Sequence, residues 1–224
     1  MAGWQEVPGA LTAISVGAAA HVWGVNSTGT IYKYDGVGTD PWTQIPGTLT
    51  NIGVGSDGTV WGVNSTGIIY RYDGVGSDPW TQVPGTLTQI SVGDADSVWG
   101  VNSDGKIYRY NFGTQAWDLV PGTLTDIGVG DDDAVWGVNS AGIIYRYDGV
   151  GSDPWTQVPG ALTRISVGDA TNVWGVNSDG KIYRYNFGTQ AWDLVPGALT
   201  DIGVGTDGTV WGVNSAGTVY KYVP

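Results

Sequence analysis

The sequence contains no cysteine, a single histidine, and nine basic residues against 21 acidic ones. Without cysteine, disulfides and thiolate metal sites are excluded. The net charge of −12 makes nucleic acid and anionic membranes poor partners, because their phosphates would be repelled. No apolar run approaches the roughly 18 residues of a membrane span, and the first residues lack the pattern of a signal peptide. We therefore expect a cytoplasmic protein that does not insert into membranes.

Catalytic and metal-binding patterns are equally scarce. The one histidine, His21, has no counterpart elsewhere in the chain, and neither a nucleophile motif nor a D-x-D-x-D-G calcium loop occurs. A retaining glycosidase needs two carboxyl groups about 5 Å apart in a cleft, whereas the acidic clusters at Asp94/Asp96 and Asp131–Asp133 have the character of a solvated rim. We expect no catalytic residue, no metal and no cofactor, and thus no enzyme.

The sequence does contain six copies of one unit. The motif V-W-G-V-N-S-x-G begins at Val22, Val60, Val98, Val135, Val173 and Val210. All 12 tryptophans belong to two sets that recur every 37 or 38 residues, one in V-W-G and one in W-x-x-[VI]-P. A fixed period of this length is typical of repeat architectures such as propellers and solenoids.

Each copy predicts four short strands separated by glycine-rich turns: A (L-T-x-I-x-V-G), B (V-W-G-V-N), C ([IV]-Y-[RK]-Y) and D (W-x-x-[VI]-P). Six such copies predict an all-β, six-bladed β-propeller of four-stranded antiparallel blades, forming one domain over residues 1–224. Strand A should be innermost, because its residues are small. Strand D should be an outer edge or end at its proline, which cannot donate to a ladder.

The two ends of the chain are complementary. The chain begins on a D strand, residues 4–8, and ends on a C strand, residues 219–222. Pairing of these two segments would let the N-terminal strand complete the last blade and remove two open edges. A solenoid, the alternative architecture, would instead call for polar terminal caps.

A second periodicity covers two copies at a time. Residues 68–130 and 143–205 are nearly identical at an offset of 75. Odd copies carry I-S-V-G in strand A and even copies carry I-G-V-G, while the C–D loop is D-G-V-G-[ST]-D-P in three places and N-F-G-T-Q-A in two. This pattern indicates three copies of a two-blade unit laid on a six-fold ring.

A binding site is expected in the seams between blades, on the face that carries the A–B and C–D loops. Aromatic rings beside carboxylates suit a neutral, polyhydroxylated ligand, because a sugar stacks its C–H face on a ring and donates hydroxyls to Asp. The V-W-G tryptophans are expected to be inter-blade core, each lying against the bare backbone that the glycine offers. The candidate ligand contacts are Trp4, Trp42, Trp80, Trp117, Trp155 and Trp192; Tyr34, Tyr72, Tyr110, Tyr147, Tyr185 and Tyr222; Asp57, Asp94, Asp132, Asp169 and Asp207; and Arg71, Arg109, Arg146 and Arg184.

The motifs W-x-x-[VI]-P-G-x-L-T-x-I-x-V-G, V-W-G-V-N and I-Y-R-Y resemble tectonin repeats over the whole chain. The resemblance implies a six-bladed propeller lectin of fungal type that binds O-methylated glycans, with O-methylated mannose or fucose as the expected sugars. It also implies agglutination in defence against bacteria and nematodes, and homo-oligomerisation. The motif is mostly structural, so the resemblance assigns no binding residue.

Repetition itself favours binding over catalysis. One buried methyl group contributes roughly 0.8 kcal/mol, so a single site would be weak, whereas repeated sites gain about 10²–10⁴ in avidity on a glycan-dense surface. Two other functions stay open: a protein-interaction propeller that does not bind sugar, and a glycosidase with its site in the central channel. Near-identical copies argue against the second, because a glycosidase needs one distinct acid and one distinct base.

Overall fold

The computed structural model describes residues 3–224, and every regular element in this range is a β-strand. The strands are β1 (Gly3–Ala10), β2 (Ala13–Ala18), β3 (His21–Val25), β4 (Thr30–Tyr34), β5 (Trp42–Thr48), β6 (Asn51–Val54), β7 (Val60–Val63), β8 (Ile68–Tyr72), β9 (Trp80–Thr86), β10 (Gln89–Asp94), β11 (Ser97–Val101), β12 (Lys106–Asn111), β13 (Ala116–Thr123), β14 (Asp126–Val129), β15 (Val135–Val138), β16 (Ile144–Tyr147), β17 (Trp155–Val158), β18 (Arg164–Asp169), β19 (Asn172–Val176), β20 (Ile182–Asn186), β21 (Ala191–Val195), β22 (Asp201–Val204), β23 (Val210–Val213) and β24 (Thr218–Val223). No helix that could cross a membrane occurs among residues 3–224.

The 24 strands form six four-stranded antiparallel sheets, which confirms the predicted six-bladed propeller. We number the blades in chain order: β2–β5 is the first, β6–β9 the second, β10–β13 the third, β14–β17 the fourth and β18–β21 the fifth. The sixth blade has the strand order β1-β24-β23-β22. Within each blade the strands appear in the predicted order A, B, C, D.

The N-terminal strand closes the ring as predicted. Strand β1 pairs with β24 in antiparallel register, with Trp4 opposite Tyr222 and Val7 opposite Val219. The indole N–H of Trp4 donates to the carbonyl of Pro196 in the fifth blade at 3.0 Å, so the same strand also contacts its neighbour. Two edges that would otherwise be open templates for pairing are thereby removed.

Strand A is innermost and lines the central channel, while strand D is the outer edge. In the first blade the D strand runs past Pro46 to Thr48, with a register shift between Ile45 and Thr48. A proline is tolerated there because no further strand lies beyond the outer edge, so no ladder hydrogen bond is lost when the N–H is absent.

The inner strands are linked across the seams by two alternating hydrogen bonds. From even to odd blades, a side-chain oxygen at the x position of L-T-x-I accepts the N–H of the next blade's isoleucine: Asn51 from Ile90 at 2.9 Å, Asp126 from Ile165 at 2.8 Å and Asp201 from Ile14 at 2.9 Å. From odd to even blades, the serine hydroxyl of I-S-V-G accepts a valine N–H at 3.0 Å: Ser15 from Val54, Ser91 from Val129 and Ser166 from Val204.

This alternation explains the two-blade period. Even blades carry glycine where odd blades carry the bridging serine, because the next strand is too close for a side chain. A Cβ on Gly128 would lie 3.1 Å from the carbonyl oxygen of Ile165 and 3.1 Å from the Cα of Ser166. The serine of I-S-V-G therefore bonds to the next even blade, and the glycine of I-G-V-G allows the next odd blade to approach closely.

The V-W-G tryptophans lie between blades, as expected, but not against the glycine of their motif. Trp61 is fully buried and packs on Tyr110 and Trp117 of the third blade, with ring centroids 5.0 and 6.1 Å away. Gly62 instead makes room for Leu49, whose Cδ1 would be overlapped by a Cβ at that position. Gly62 thus leaves space for the side chain of Leu49, and the expectation that an indole lies there was wrong.

Candidate functional site

The D-strand tryptophans close the outer end of each seam. The indole N–H of Trp80 donates to the carbonyl of Pro46 in the preceding blade at 2.7 Å. The ring lies on Gly47, which has a φ of +117° and whose Cβ would be 2.9 Å from the indole Nε1. Glycine is required here for both reasons, because its conformation is left-handed and the indole occupies the space of a side chain.

Beside this contact the chain forms a groove, which recurs at three seams. The groove between the first and second blades has a volume of about 280 Å³ and is lined by Ile31, Gly47, Thr48, Leu49, Asn64, Tyr70, Asp78 and Trp80. Its equivalent between the third and fourth blades, about 250 Å³, is lined by Ile107, Gly122, Thr123, Leu124, Asn139, Tyr145, Asp153 and Trp155. That between the sixth and first blades, about 220 Å³, is lined by Gly9, Ala10, Leu11, Asn26, Tyr32, Asp40 and Trp42. We call these three the seam grooves.

Each seam groove combines an apolar wall with polar atoms that have no partner within the described chain. Asn64 uses its Oδ1 to accept the N–H groups of Thr66 and Ile68, which leaves its amide N–H₂ free. Neither the carboxylate of Asp78 nor the hydroxyl of Tyr70 bonds to another group of residues 3–224. A ligand in the groove would therefore meet an amide donor, a carboxylate acceptor and a phenol that can donate or accept, beside Ile31, Leu49 and the indole.

A second aspartate, Asp73, shapes the C–D loop that carries Asp78. Asp73 accepts the N–H of Val75 at 2.9 Å and the hydroxyl of Thr81 at 2.8 Å. These two hydrogen bonds, together with the charge of Arg71, hold the pKa of Asp73 below its usual value. Asp73 is thus occupied in shaping the loop, whereas Asp78 at the end of the same loop remains available.

The N-F-G-T-Q-A loops of the third and fifth blades are built differently. Asn111 caps the loop by accepting the N–H groups of Gly113 and Thr114, and its amide donates to Asp118 at 2.9 Å. Gln115, with a φ of 54°, stands two residues before the tryptophan, where the other loops carry the groove aspartate. The acidic form of the groove is therefore specified by the sequence D-G-V-G-[ST]-D-P.

The structure separates the aromatic residues predicted as ligand contacts into two groups. Trp42, Trp80 and Trp155 line the seam grooves, while Trp4, Trp117 and Trp192 hold the remaining seams through N–H bonds to proline carbonyls at 3.0 Å. The predicted tyrosines pack inside the seams instead of lining the grooves: Tyr34, Tyr72, Tyr110, Tyr147, Tyr185 and Tyr222 each contact a V-W-G tryptophan at 4.7–5.3 Å.

The predicted aspartates lie in the A–B loops and do not line the grooves. Three of them accept backbone N–H groups of the next blade, at 3.1 Å for Asp57, 2.8 Å for Asp132 and 2.8 Å for Asp207. Asp94 and Asp169 accept N–H groups within their own turns, at 2.8 and 2.6 Å. Their observed contacts are those of loop and seam supports.

The predicted basic residues also lie outside the grooves. Arg109 and Arg184 stack over the indoles of Trp99 and Trp174, at 5.6 and 5.8 Å from the ring centroids. Arg109 also pairs with Asp133 of the acidic rim at 3.5 Å. Arg71 and Arg146 are exposed beside the loop aspartates whose pKa values they help to lower.

Sequence reasoning missed the tyrosines, asparagines and aspartates that line the grooves. They are Tyr32, Tyr70 and Tyr145; Asn26, Asn64 and Asn139; and Asp40, Asp78 and Asp153. A signal for the tyrosines exists in I-Y-R-Y, because residues two apart on a strand share a face. Both tyrosines therefore face the same seam, and only one of them had been singled out. The asparagines belong to the B–C hairpin, so the grooves reach beyond the A–B and C–D face that was expected.

A second polar region lies in the central channel. Its mouth, about 350 Å³, is lined by Asn51, Gln89, Asp126, Arg164 and Asp201, among others. Burial raises the pKa of Asp126 to about 7 and that of Asp201 to about 6, and the charge of Arg164 partly offsets both effects. Arg164 pairs with Asp201 at 3.7 Å. Among residues 3–224 no group of three or more acidic or histidine side chains converges in a way that could hold a metal ion.

His21 was expected to be a solvated loop residue, but it begins strand β3 and contacts the next blade. Its Nδ1 lies 2.9 Å from the carbonyl oxygen of Ser56 in the second blade. Odd blades use this position to reach across the seam: Asn172 donates to Gly205 at 3.3 Å and accepts the indole N–H of Trp174 at 3.0 Å. His21 therefore makes the same kind of contact with a backbone carbonyl of the next blade as Asn172 does.

A closed ring of six similar four-stranded blades is the architecture of a β-propeller built from sequence repeats. The Tectonin domain family matches residues 1–79 and 75–224, so the chain belongs to the tectonin family. No curated protein matches the chain significantly.

Solved structures share the fold at low sequence identity. YCF48 from Cyanidioschyzon merolae is 14% identical with a TM-score of 0.64, covering 99% of this chain and 98% of that one. A streptogramin B lyase is 18% identical with a TM-score of 0.65, covering 95% and 78%. YCF48 bound to a D1 peptide is 16% identical with a TM-score of 0.59, covering 98% and 81%. These similarities establish the propeller architecture alone.

Proposed function

We propose that this protein is a multivalent, non-catalytic lectin that holds one sugar in each seam groove. The observation that carries the proposal is the threefold recurrence of one groove with the same chemistry. Each groove is lined by an indole and aliphatic side chains together with a free carboxylate, a phenol and an amide. Sugar-binding sites combine these two surfaces, because a pyranose has both C–H faces and hydroxyls.

The apolar wall is suited to an O-methylated glycan. In the groove of the second blade it consists of Ile31, Leu49 and Trp80, all buried and held by the cores of two blades. Burying one methyl group there would stabilise the complex by roughly 0.8 kcal/mol, which is about fourfold in affinity. We propose O-methylated mannose or fucose as the ligand, and a relation to the mushroom lectin tectonin 2.

Multivalency would compensate for weak individual grooves. The grooves lie at different seams of one rigid ring, so a single molecule can engage several glycans of one surface. Linked sites of this kind gain about 10²–10⁴ in apparent affinity when their spacing fits. Such binding would agglutinate bacterial or nematode surfaces in defence, and homo-oligomerisation would multiply the effect.

A nuclear magnetic resonance titration of the indole N–H groups tests the proposal one groove at a time. Addition of an O-methylated mannoside should shift the signals of Trp42, Trp80 and Trp155 more than those of Trp117 and Trp192. No shift with O-methylated or unmethylated mannosides and fucosides, together with no signal on a glycan array, would contradict it.

A matched pair of variants tests the role of the groove tyrosines. Tyr32→Phe, Tyr70→Phe and Tyr145→Phe, combined, remove only the hydroxyls of tyrosines that line the grooves. Loss of one hydrogen bond should weaken each groove about fivefold. Tyr108→Phe and Tyr183→Phe, in the third and fifth blades, form the control and should leave these three grooves unchanged. Equal effects of both sets would refute a specific contact.

A protein-interaction propeller is the second candidate, and exposed valines favour it. Val37, Val75 and Val150 are 71–72% exposed at the tips of the three D-G-V-G loops. The three valines lie on three different blades, so a partner that buries more than one of them would have to span several loops of the ring. A stoichiometric protein partner whose binding is insensitive to sugar and is lost on Val→Ser substitution would favour this function.

A further inference from the structure

The seam grooves contain one formal charge each, and it is negative. The residues that line the groove of the second blade include Asp78 but neither lysine nor arginine, and the same holds for Asp153 and Asp40 in the other two. The chain as a whole carries a net charge of −12. The local and the overall potential therefore act in the same direction on a ligand that enters a groove.

The carboxylate in the groove is not needed by the fold. The other acid of the same loop, Asp73, already ties the loop to Val75 and Thr81. Asp78 is exposed and makes no hydrogen bond or ion pair with residues 3–224. An ionised carboxylate is an acceptor only, so it can bind a hydroxyl or an ammonium group but not another carboxylate.

The third and fifth blades provide an internal comparison. Their shorter loops place Gln115 and Gln190 where the other blades carry the groove aspartate. Both chain segments precede the same D-strand tryptophan, so the acid can be lost without loss of the blade. The aspartate is thus a feature of three grooves and not of the propeller.

We infer that Asp40, Asp78 and Asp153 determine the charge specificity of the grooves: each accepts a hydroxyl or an ammonium group of a neutral or amino sugar and excludes carboxylated or sulfated sugars. This inference rests on the proposed function, because it concerns the ligand of the same grooves.

The experiment compares three glycosides by titration of indole N–H signals. The probes are an O-methylated mannoside, the corresponding amino-mannoside and the corresponding mannuronide, which are neutral, cationic and anionic. Trp42 and Trp80 are the main reporters. Trp155 is less suitable, because Lys106 is paired in register with Thr123 at the rim of its groove and brings a positive charge close to the ligand.

We expect the neutral and amino sugars to bind and the mannuronide to bind at least about tenfold more weakly, since like charges oppose each other at a partly screened site. The variant Asp40→Gln/Asp78→Gln should bind the neutral sugar about tenfold more weakly, through loss of a charge-assisted hydrogen bond. It should also bind the mannuronide nearly as well as the neutral sugar. The control Asp104→Gln/Asp179→Gln removes the same charge from two B–C hairpins and should preserve the original preference.

Equal binding of the neutral and anionic sugars by the unsubstituted protein would overturn the inference and leave the proposed lectin function intact. An unchanged preference in Asp40→Gln/Asp78→Gln would also overturn it, as would an equal change in the control. If none of the three glycosides shifts any indole signal, the lectin function and the inference fall together.

Discussion

The buried carboxylate of Asp126 should make the stability of the ring depend on pH. Its Oδ2 accepts the N–H of Ile165 across the seam at 2.8 Å, and the residue is 7% exposed. Burial raises its pKa from 3.8 to about 7, the largest influence on this group. Between these two values the folded state binds a proton that the unfolded state has released. The free energy of unfolding therefore falls as the pH rises from about 4 to 7 and is level above that.

The magnitude follows from the size of the shift. Each pH unit between the two pKa values corresponds to about 1.4 kcal/mol, so Asp126 lowers the stability by up to about 4 kcal/mol at pH 8. Asn51 occupies the equivalent position in the second blade and makes the same bond, at 2.9 Å to Ile90, without a charge. Asp126→Asn should therefore preserve the hydrogen bond and remove the cost.

Urea unfolding followed by tryptophan fluorescence between pH 4 and pH 8 measures this effect. We expect Asp126→Asn to be more stable than the unsubstituted protein at pH 8 and close to it near pH 4. Asp201, whose pKa burial raises to about 6, should leave a smaller slope in the variant. The reverse change, Asn51→Asp, should introduce a new loss of stability with rising pH. A stability difference between Asp126→Asn and the unsubstituted protein that does not change with pH would refute the reasoning.

Three further predictions concern the seams and the closure. Gly47→Ala should reduce stability and ligand binding together, since its φ of +117° strains alanine by about 1–2 kcal/mol and its Cβ would meet Trp80; unchanged thermal unfolding would count against this. Asn172→Ala should cost about 1–3 kcal/mol in urea unfolding, because it leaves the buried indole N–H of Trp174 unpaired, and a neutral result would argue for a replacement partner. Deletion of residues 1–10 removes the outer strand of the sixth blade, so light scattering should show association through the exposed edge, whereas a monodisperse monomer would show that closure is dispensable.

Much of the architecture could be predicted because most of its features are local in the sequence. Strand alternation, glycine turns and the proline of strand D gave the four strands, and the complementary ends gave the closure. The alternation of I-S-V-G with I-G-V-G was visible, but its cause was not. It depends on Ser91 and Gly128 each facing a neighbouring blade, a contact between residues far apart in the chain.

The candidate site was predicted less well than the fold. The D-strand tryptophans were named, and three of them line grooves. Of the two tyrosines in I-Y-R-Y, the one nearer the C–D loop had been chosen, yet Tyr72 packs on Trp23 and Tyr70 faces the groove. The A–B loop acids had been preferred over Asp78, because linear order does not reveal which loop reaches the outer end of a seam.

The sequence by itself determined the number of blades and their strand order, because these follow from periodicity and from turn and edge chemistry that act within a few residues. It also determined how the ring closes, because its two ends carry complementary D and C strands. Only the tertiary structure decided which side chains are buried or hydrogen-bonded between blades and which remain available to a ligand. Burial and hydrogen bonding between adjacent blades make that choice, and they turn identical repeats into core at one end of a seam and an open groove at the other.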